Sequence, residues 1–341
     1  SGKPFQVFTP FWRAQSQGFE PGKPLPAPIH WPSPRQWPAS DPLESLHLLP
    51  SIAWDAGWKD IWQPGEKGAA QAVERFASEA YETYEVGRDL PGIEGTSRLS
   101  PHLHFGEITP AQIYHGLLKR LQPRGVSPTA LMSSCYMREL GWREFAHHLL
   151  HHFPDTTDRP LRPEFEAFPW MEDEGLLRAW QKGQTGYPMV DAGMRELWST
   201  GWMHNRVRMI VGSFLVKHLL IRWQEGAKWF WDTLVDADLA NNTLGWQWIA
   251  GCGADAAPYF RIFNPMTQSE KFDGHGDYIR RWVPELAKLS DADLHAPWEV
   301  PPLALASAGI ELGVTYPHPV VNHTIARERA LAAYQKIKKA R

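Results

Sequence analysis

Cysteine is scarce in this chain of 341 residues, which contains only Cys135 and Cys252. Two thiols cannot build a disulfide framework, a cysteine-rich zinc module or a four-cysteine iron–sulfur cluster within one chain. We therefore expect a protein of a reducing compartment, with a cytoplasmic location.

Long hydrophobic runs are also missing. The longest apolar window covers 209–216 and is followed by Lys217 and His218, whereas a membrane-spanning helix needs about 20 apolar residues. The first residues, SGKPFQVFTPFWRAQ, lack the basic and then apolar pattern of a signal peptide. We expect a soluble protein with no membrane partner.

Neither sign of charge is in clear excess, since 35 Lys+Arg oppose 38 Asp+Glu for a net charge of -3. A nucleic acid would therefore have to bind a local basic patch. Residues 201–230 contain a candidate patch with one acidic residue, Glu225, and five basic ones: Arg206, Arg208, Lys217, Arg222 and Lys228. Aromatic residues and Asn205 interleave with these charges, as phosphate contact with base stacking requires, although a solvated helix face is the alternative.

Tryptophan and proline, by contrast, are abundant, with 18 and 30 residues respectively. The density of proline over residues 21–50 opposes both helix and sheet and predicts an extended linker. Trp54, Trp58 and Trp62 follow at four-residue spacing, which predicts one face of a helix and a packing role.

Apolar residues recur three and four positions apart along most of the remaining chain, which predicts a mainly α-helical fold. Thr109 and Gln112 have the spacing of a capping box, and Ser100 precedes a proline as an N-cap would. No repeat of solenoid period is present. The predicted helical windows are 68–84, 129–153, 188–200, 203–224, 226–240 and 322–339.

Three short motifs match the sequence patterns of known ligand-binding sites, but each has a simpler explanation. Residues 251–256 match a dinucleotide fingerprint but do not follow a buried strand, so we interpret the match as coincidence. The histidines of 147–152 have zinc-binding spacing but no zincin glutamate, and we predict no metal. The turn that contains Asp236, Asp238 and Asn242 lacks the further ligands of a calcium loop, and hydrogen bonding to a polar heteroaromatic ligand fits it better.

Residues 95–101, GTSRLSP, combine three hydroxyls, an arginine and the free N–H groups of a helix start. Such a segment can bind an anion. Taken by itself it also fits an ordinary N-cap by Ser100.

Five sequence blocks together resemble the photolyase/cryptochrome flavoproteins. They lie in the same order as in that family: EGTSRLSPHLHFGEI (94–108), ELGWREF (139–145), TGYPMVDAGMREL (185–197), TGWMHNRVRM (200–209) and GWQWIAGCGADAAPYFRIFNPMTQSEKFD (245–273). Within the family, the chain is most similar to class I-type cyclobutane pyrimidine dimer photolyases.

The resemblance implies a helical FAD-binding catalytic domain over 67–341. Residues 1–66 would be the end of an α/β domain and an interdomain linker. Because the antenna-binding part of that α/β domain is not in the sequence, we expect no antenna chromophore to be held by this chain alone. A monomer is expected.

The family's cofactor residues match positions of this chain. The FAD phosphates would be held by Tyr84, Thr96, Ser97, Arg98, Leu99 and Ser100. On the flavin and ribose side would lie Arg208, Asp236, Ala237, Asp238 and Asn242, with Arg208 paired to Asp236 and Asn242 at flavin N5. Tyr136 stands where some relatives have Trp or Gln near the flavin.

The resemblance also implies the residues of a light-driven repair reaction on UV-damaged DNA, single- or double-stranded. Trp142 and Trp248 would sandwich a flipped dimer, Glu139 would hydrogen-bond or protonate it, and Asn205 and Met209 would line the pocket. Arg143, Arg206 and Gln268 would contact DNA. Trp246, Trp223 and Trp170 would carry electrons from the surface to oxidised flavin.

The identities of single residues distinguish among the functions found in the family. A neutral amide at Asn242, where plant cryptochromes usually have Asp, favours the fully reduced anionic flavin, FADH⁻, that repair needs. Asn205 stands where six-four photolyases have a catalytic His, and Met209 matches the enzymes that repair cyclobutane dimers. A dimer photolyase is the leading hypothesis. The alternatives are a cryptochrome-like blue-light receptor and a helical scaffold with a vestigial pocket.

Overall fold

The computed structural model describes residues 2–256 and 260–339 of the chain, and the regular secondary structure of this part is almost entirely helical. The helices are α1 (Phe8–Ser16), α2 (Glu66–Arg75), α3 (Tyr84–Gly87), α4 (Ser100–His104), α5 (Pro110–Leu121), α6 (Pro128–Met132), α7 (Cys135–His152), α8 (Glu174–Gln181), α9 (Pro188–Thr200), α10 (Asn205–Ser213), α11 (Trp223–Thr233), α12 (Leu239–Ala250), α13 (Pro265–Phe272), α14 (Asp277–Trp282), α15 (Pro302–Ala308) and α16 (His323–Lys339). Wider π-helical segments at Phe76–Ala80 and Phe214–His218 continue α2 and α10. Within the described ranges, extended pairing is limited to the isolated bridges Met171–Ile221 and Leu312–Tyr316. The predicted mainly α fold is confirmed.

Local sequence signals set several helix boundaries as expected. The Thr109 hydroxyl accepts the Gln112 backbone N–H, and the Gln112 side chain accepts the Thr109 N–H, so α5 begins with the predicted capping box. Helix α9 covers the predicted 188–200 and ends at Gly201, whose φ of +68° suits glycine.

Four predicted helical segments were wrong in detail. The windows 129–153 and 226–240 each contain two helices with a break between them, and the window 203–224 is interrupted before Trp223. Trp54 and Trp62 lie outside helix, and Trp58 begins only the short 3-10 turn Trp58–Asp60. Periodicity shows which residues share a buried face but does not show where a chain turns between two helices.

The N-terminal tryptophans still pack, as expected, against the end of α9. Trp54 stacks on Trp198 with ring centroids 5.4 Å apart, and Trp62 Nε1 donates to the Thr200 carbonyl at 2.8 Å. The extended, proline-rich segment before them contains no helix longer than the exposed turn Leu43–Leu46. Trp54 and Trp62 therefore hold the end of this segment on the helical domain.

The largest hydrophobic cluster surrounds α9 to α12 and includes fully buried Trp180 and Trp246. A second cluster joins α2, α5 and the start of α7, and a third packs α1 on α7. A membrane-crossing helix needs a length and apolar character that no helix within 2–256 and 260–339 combines.

Close approach of α11 to α12 depends on a glycine. A Cβ added at Gly226 would come within 2.1 Å of Trp246 Cη2, and Trp246 is 2% exposed. The indole thus occupies the space that any larger residue would need.

We predict that Gly226→Ala lowers the free energy of unfolding by about 1–3 kcal/mol, because the tightly packed core must shift to admit the methyl group. Urea denaturation followed by far-UV circular dichroism would measure this change. Gly175→Ala is the control, since its added Cβ would lie 3.3 Å from Asp173 Oδ1 on an exposed part of α8. Equal stability of the two variants would contradict the packing argument.

Candidate functional site

A cavity of about 630 Å³ lies among α7, α10, α11 and α12. Three helices each present residues three and four positions apart to it, as one helix face requires. Of the residues predicted from the sequence, those lining the cavity are Glu139, Trp142, Arg143, Asn205, Arg208, Met209, Asp236, Ala237, Asp238, Asn242, Trp246 and Trp248. The structure therefore brings together in one space the residues expected on the flavin side and those expected at the dimer.

The ion pair between Arg208 and Asp236 fixes the loop between α11 and α12. Arg208 Nη2 donates to both Asp236 carboxylate oxygens at 2.8 and 3.1 Å, and its Nε donates to the Met203 carbonyl at 2.7 Å. The Asp236 side chain is only 3% exposed. A buried carboxylate needs such a partner, and the pairing predicted from the sequence is present.

Asp238 and Asn242 begin α12 and orient its first turn toward the cavity. The Asp238 carboxylate accepts the Asn241 backbone N–H at 2.8 Å as an N-cap. Asn242 Nδ2 donates to the Ala227 carbonyl at 2.9 Å, so the amide oxygen remains as the acceptor end of this side chain. Only Asp236, Ala237 and Asp238 form the expected turn, because the two asparagines already belong to the helix.

Arg88 is a cavity residue that the sequence motifs did not reveal. Its Nη1 lies 2.5 Å from Glu139 Oε1 and 2.9 Å from Cys135 Sγ, and its guanidinium lies 5.6 Å from the Tyr84 ring centroid. The Glu139 carboxylate therefore forms an ion pair with Arg88. Arg88 follows a predicted helix without a recognisable motif, and only the fold brings it to α7.

The segment expected to bind phosphates lies beside the cavity and does not line it. Gly95 approaches the Gly87 backbone so closely that an added Cβ would be 2.4 Å from the Gly87 carbonyl oxygen, and Arg98 has a left-handed φ of +52°. The Tyr136 hydroxyl donates to Ser97 Oγ at 3.1 Å, and burial raises the pKa of Tyr136 to about 12. Burial, and after it the charge of Glu139, raises the pKa of Tyr84 as well.

The prediction of Ser100 as an N-cap was wrong. Leu99 occupies the cap position, no side chain caps α4, and Ser100 is its first residue. Ser100 Oγ accepts a hydrogen bond from Trp202 Nε1 at 3.4 Å. Its hydroxyl is therefore bonded to another part of the chain and leaves the first turn uncapped.

Trp202 joins the two groups of predicted cofactor residues and was not singled out from the sequence. Its ring lies 4.7 Å from the Arg98 guanidinium and 5.9 Å from that of Arg208. Next to it, His204 accepts the Arg206 backbone N–H on Nδ1, so the neutral ring carries its proton on Nε2, a buried atom with no partner within the described part of the chain. Burial lowers the pKa of His204 to about 4.

The tryptophans expected to conduct electrons divide between two cavities. Trp246 lines the main cavity, and its ring centroid lies 6.1 Å from that of Trp180. Trp223, which is buried, and Trp170, which is half-buried, line a separate cavity of about 550 Å³.

The predicted basic patch is largely paired or buried. Arg206 lies 2.7 Å from Asp89 and stacks on Phe272, while Lys217 is 1% exposed and donates to the Ala250 carbonyl. Arg208 and Arg222 also have acidic partners. Charges counted along the sequence therefore overstated the positive surface, because the fold places acidic residues from loops elsewhere in the chain against them. Of the residues expected to contact DNA, Arg143 lines the cavity, whereas Arg206 and the half-buried Gln268 on α13 lie outside its lining.

The remaining motifs have structural roles. Gly251 ends α12 in a left-handed conformation with φ of +88°, so the fingerprint-like residues follow a helix. His148 Nε2 accepts the Phe5 N–H at 3.0 Å. Among residues 2–256 and 260–339, no cluster of three or more His, Cys, Asp or Glu side chains could hold a metal ion.

Comparison with known proteins agrees with this geometry. Residues 136–336 match the family described as the FAD binding domain of DNA photolyase. A deoxyribodipyrimidine photo-lyase of Agrobacterium fabrum is 52% identical over 99% of this chain and 70% of its own length. Cryptochrome-1 of Arabidopsis thaliana is 39% identical over 96% of this chain and 49% of its own. The crystal structure of a bacterial class III photolyase from Agrobacterium tumefaciens superposes with a TM-score of 0.94 at 53% identity, covering 99% of this chain and 70% of that one.

A helical FAD-binding domain of the photolyase type is thus the class of protein that the fold and the site define. The chain belongs to the photolyase/cryptochrome family, and FAD is the cofactor of its domain. The residues present fit that group: the cavity volume is typical of a small-molecule site, and the His204 N–H, which has no partner among the described residues, is within the influence of Asp89 and of three arginines, Arg206, Arg208 and Arg98. The assignment to the class I type stays a prediction.

A buried carboxyl supports the start of α10. Glu196 is 4% exposed, and its Oε2 accepts the Tyr278 hydroxyl at 2.5 Å and the His204 backbone N–H at 3.2 Å. Burial raises the pKa of Glu196 from 4.5 to about 7, although the Tyr278 hydrogen bond opposes this rise. The folded state therefore retains a proton that the unfolded chain releases at lower pH.

We predict that the free energy of unfolding falls as pH rises from about 4.5 to about 7, by at most about 3 kcal/mol, because the folded state binds the extra proton in this range. Glu196→Gln should remove this part of the pH dependence while keeping an acceptor for both donors. Urea denaturation at several pH values measures the slope. The exposed Glu79→Gln is the control, and an unchanged slope in Glu196→Gln would refute the assignment.

Proposed function

We propose that this protein is a deoxyribodipyrimidine photolyase that uses light to split cyclobutane pyrimidine dimers in DNA. The observation that carries the proposal is the shared cavity: Asp236 and Asn242 line one space with Glu139, Trp142 and Trp248. When bound, fully reduced FAD supplies the photoexcited electron that opens the dimer and receives it back. The chain must hold that cofactor and the flipped dimer against each other.

On the cofactor side, Asn242 and the Arg208–Asp236 pair would hold the flavin, since all three residues line the cavity. Since Asn242 Nδ2 donates to the Ala227 carbonyl, its amide oxygen would be the group that accepts the N5 N–H of a reduced flavin. The Arg208 guanidinium would favour an anionic ring, but its pairing with Asp236 offsets part of its charge. The remaining proposed cofactor residues are Tyr84, Thr96, Ser97, Arg98, Leu99 and Ser100 at the phosphates, with Ala237 and Asp238 on the ribose side.

On the substrate side, Trp142 and Trp248 provide apolar aromatic walls for stacked bases. Glu139, held by Arg88 at 2.5 Å, presents a carboxylate that accepts a base N–H. Asn205 and Met209 complete the pocket from α10. A dimer is poorly stacked in the duplex, so its extrusion costs less than that of an intact base pair.

DNA outside the pocket would contact Arg143, Arg206 and Gln268. Because Arg206 is already paired with Asp89 at 2.7 Å, it contributes less net charge to phosphate binding than a free arginine would.

We propose that the protein acts as a monomer in the cytoplasm, on dimers in single- or double-stranded DNA. The division into residues 1–66 and 67–341 is part of this proposal.

A route for photoreduction of oxidised flavin accompanies repair in this proposal. Trp246 lines the cavity, and Trp223 and Trp170 line the second cavity that opens toward solvent. Indole rings are oxidisable, so three of them can relay an electron inward. A cryptochrome-like receptor would use the same route without repair, and the 39% identity to Cryptochrome-1 makes it the alternative.

The decisive experiment is illumination of the reduced protein with single-stranded DNA that contains a thymine dimer. We expect light-dependent loss of dimers, measured by chromatography of the digested DNA. Photoreduction without dimer loss would support the receptor. Failure of the purified protein to take up FAD, seen in its visible spectrum, would leave only the scaffold hypothesis.

We predict that Trp223→Phe slows flavin photoreduction at least about tenfold, because phenylalanine is much harder to oxidise than an indole, while repair by chemically reduced enzyme is retained. Transient absorption and the dimer assay measure the two activities separately. Trp198→Phe, an exposed site on α9, is the control. Equal loss of both activities in Trp223→Phe would overturn its assignment to photoreduction.

A further inference from the structure

One face of the Trp142 indole is covered by an aromatic ring from the first helix of the chain. The Phe8 ring stacks on the indole with centroids 3.8 Å apart and planes 11° from parallel. Phe8 is 2% exposed, whereas Trp142 is half-buried and lines the cavity. Phe8 therefore supports Trp142 from behind the cavity wall.

Helix α1 approaches α7 closely at this point. A Cβ added at Gly141, the residue before Trp142, would lie 2.4 Å from Trp12 Cε3. The Trp12 ring is in turn 12° from parallel to the Phe8 ring, with centroids 6.2 Å apart. Because Gly141 has no side chain, α1 comes near enough to α7 for the Phe8 ring to contact Trp142.

Hydrogen bonds connect the segment just before α1 to two other parts of the chain. The Phe5 N–H donates to His148 Nε2 on α7 at 3.0 Å. The Gln6 carbonyl accepts the Asp255 N–H at 3.0 Å, and the Asp255 carbonyl accepts Trp248 Nε1 at 3.1 Å. The start of α1 is therefore fixed relative to both aromatic walls of the cavity.

A parallel pair of rings at this distance restrains the orientation of both. Rotation of the indole about its side-chain bonds would give up the attraction and the close contact between the two rings. An aliphatic side chain in place of Phe8 would fill part of the space but would not present a flat surface. The indole could then tilt, and a tilted indole offers less area for stacking on a base.

We infer that Phe8 is a positioning residue that fixes the orientation of the Trp142 indole, and through it the affinity of the cavity for a flipped pair of linked pyrimidines. The inference rests on the proposed function, since it assumes that Trp142 stacks on the dimer. It also gives a role in the pocket to a residue outside the proposed catalytic domain, 67–341.

The test measures how strongly the FAD-loaded protein binds dimer-containing and undamaged oligonucleotides in the dark, by fluorescence anisotropy. We expect Phe8→Leu to lower the ratio of the two affinities about two- to tenfold, the effect of one lost aromatic pair. Phe8→Met fills the space with a flexible side chain and should show the same loss. Phe8→Tyr keeps the aromatic ring and should keep the ratio within about twofold. FAD content and affinity for undamaged DNA should stay constant throughout.

Phe11→Leu is the matched control. Phe11 is 4% exposed on the same helix, and its ring centroid lies 5.1 Å from those of Phe145 and His148. The substitution removes a buried ring of the same size from the same hydrophobic cluster and leaves Phe8 stacked on Trp142. It should lower the stability to urea about as much as Phe8→Leu does, but it should keep the affinity ratio.

A double-mutant cycle tests whether Phe8 acts through Trp142. Trp142→Ala should itself lower the affinity ratio, with Trp248 and Glu139 retaining part of the preference. In this background Phe8→Leu should change the ratio by less than about twofold, because no indole is left to orient. An equal loss in both backgrounds would show that Phe8 acts by another route.

The outcomes separate the inference from the proposed function. If the unchanged protein binds both oligonucleotides equally well, the proposed function fails. If it prefers the dimer and Phe8→Leu keeps that preference, or if Phe8→Leu and Phe11→Leu lose it to the same extent, the positioning role is overturned.

Discussion

The ion pair between Arg208 and Asp236 is the contact on which the rest of the site depends. It places a carboxylate in a nearly water-free position, where an unpaired charge would be strongly destabilising. To make the pair, α10 must lie beside the loop that separates α11 from α12. That arrangement directs Asn205 and Met209 from one side, and Asn242, Trp246 and Trp248 from the other, into the same cavity.

Tryptophan, the most conspicuous feature of the composition, serves several different purposes. Trp180 and Trp246 fill the core, where their large apolar surfaces dominate burial. Trp54 and Trp62 fasten the N-terminal segment to α9, and Trp202 lies between two arginines of the cofactor region. These indoles therefore serve in packing and in contacts between distant parts of the chain.

Sequence patterns predicted helix boundaries correctly where neighbouring residues alone determine them. The capping box at Thr109, the helix 188–200 and its glycine stop depend on neighbouring backbone groups and were predicted correctly. The turn between Thr233 and Leu239 was missed because apolar residues continue at helical spacing through it, and its geometry depends on Arg208. The prediction of a basic patch was wrong for a related reason. Asp89 and Glu172, which lie far away in the sequence, pair with Arg206 and Arg222 and reduce the positive charge of the surface.

The sequence by itself determined the helical class, the family and the identity of most residues around the cavity, because residue type and spacing carry that information directly. Only the tertiary structure decided that Arg88 pairs with Glu139, that Trp202 lies between Arg98 and Arg208, and that the Asp255 N–H donates to the Gln6 carbonyl. These contacts join residues far apart in the chain, or depend on a backbone conformation that packing imposes. Neither spacing nor composition encodes such a distance, which is set by how the helices pack.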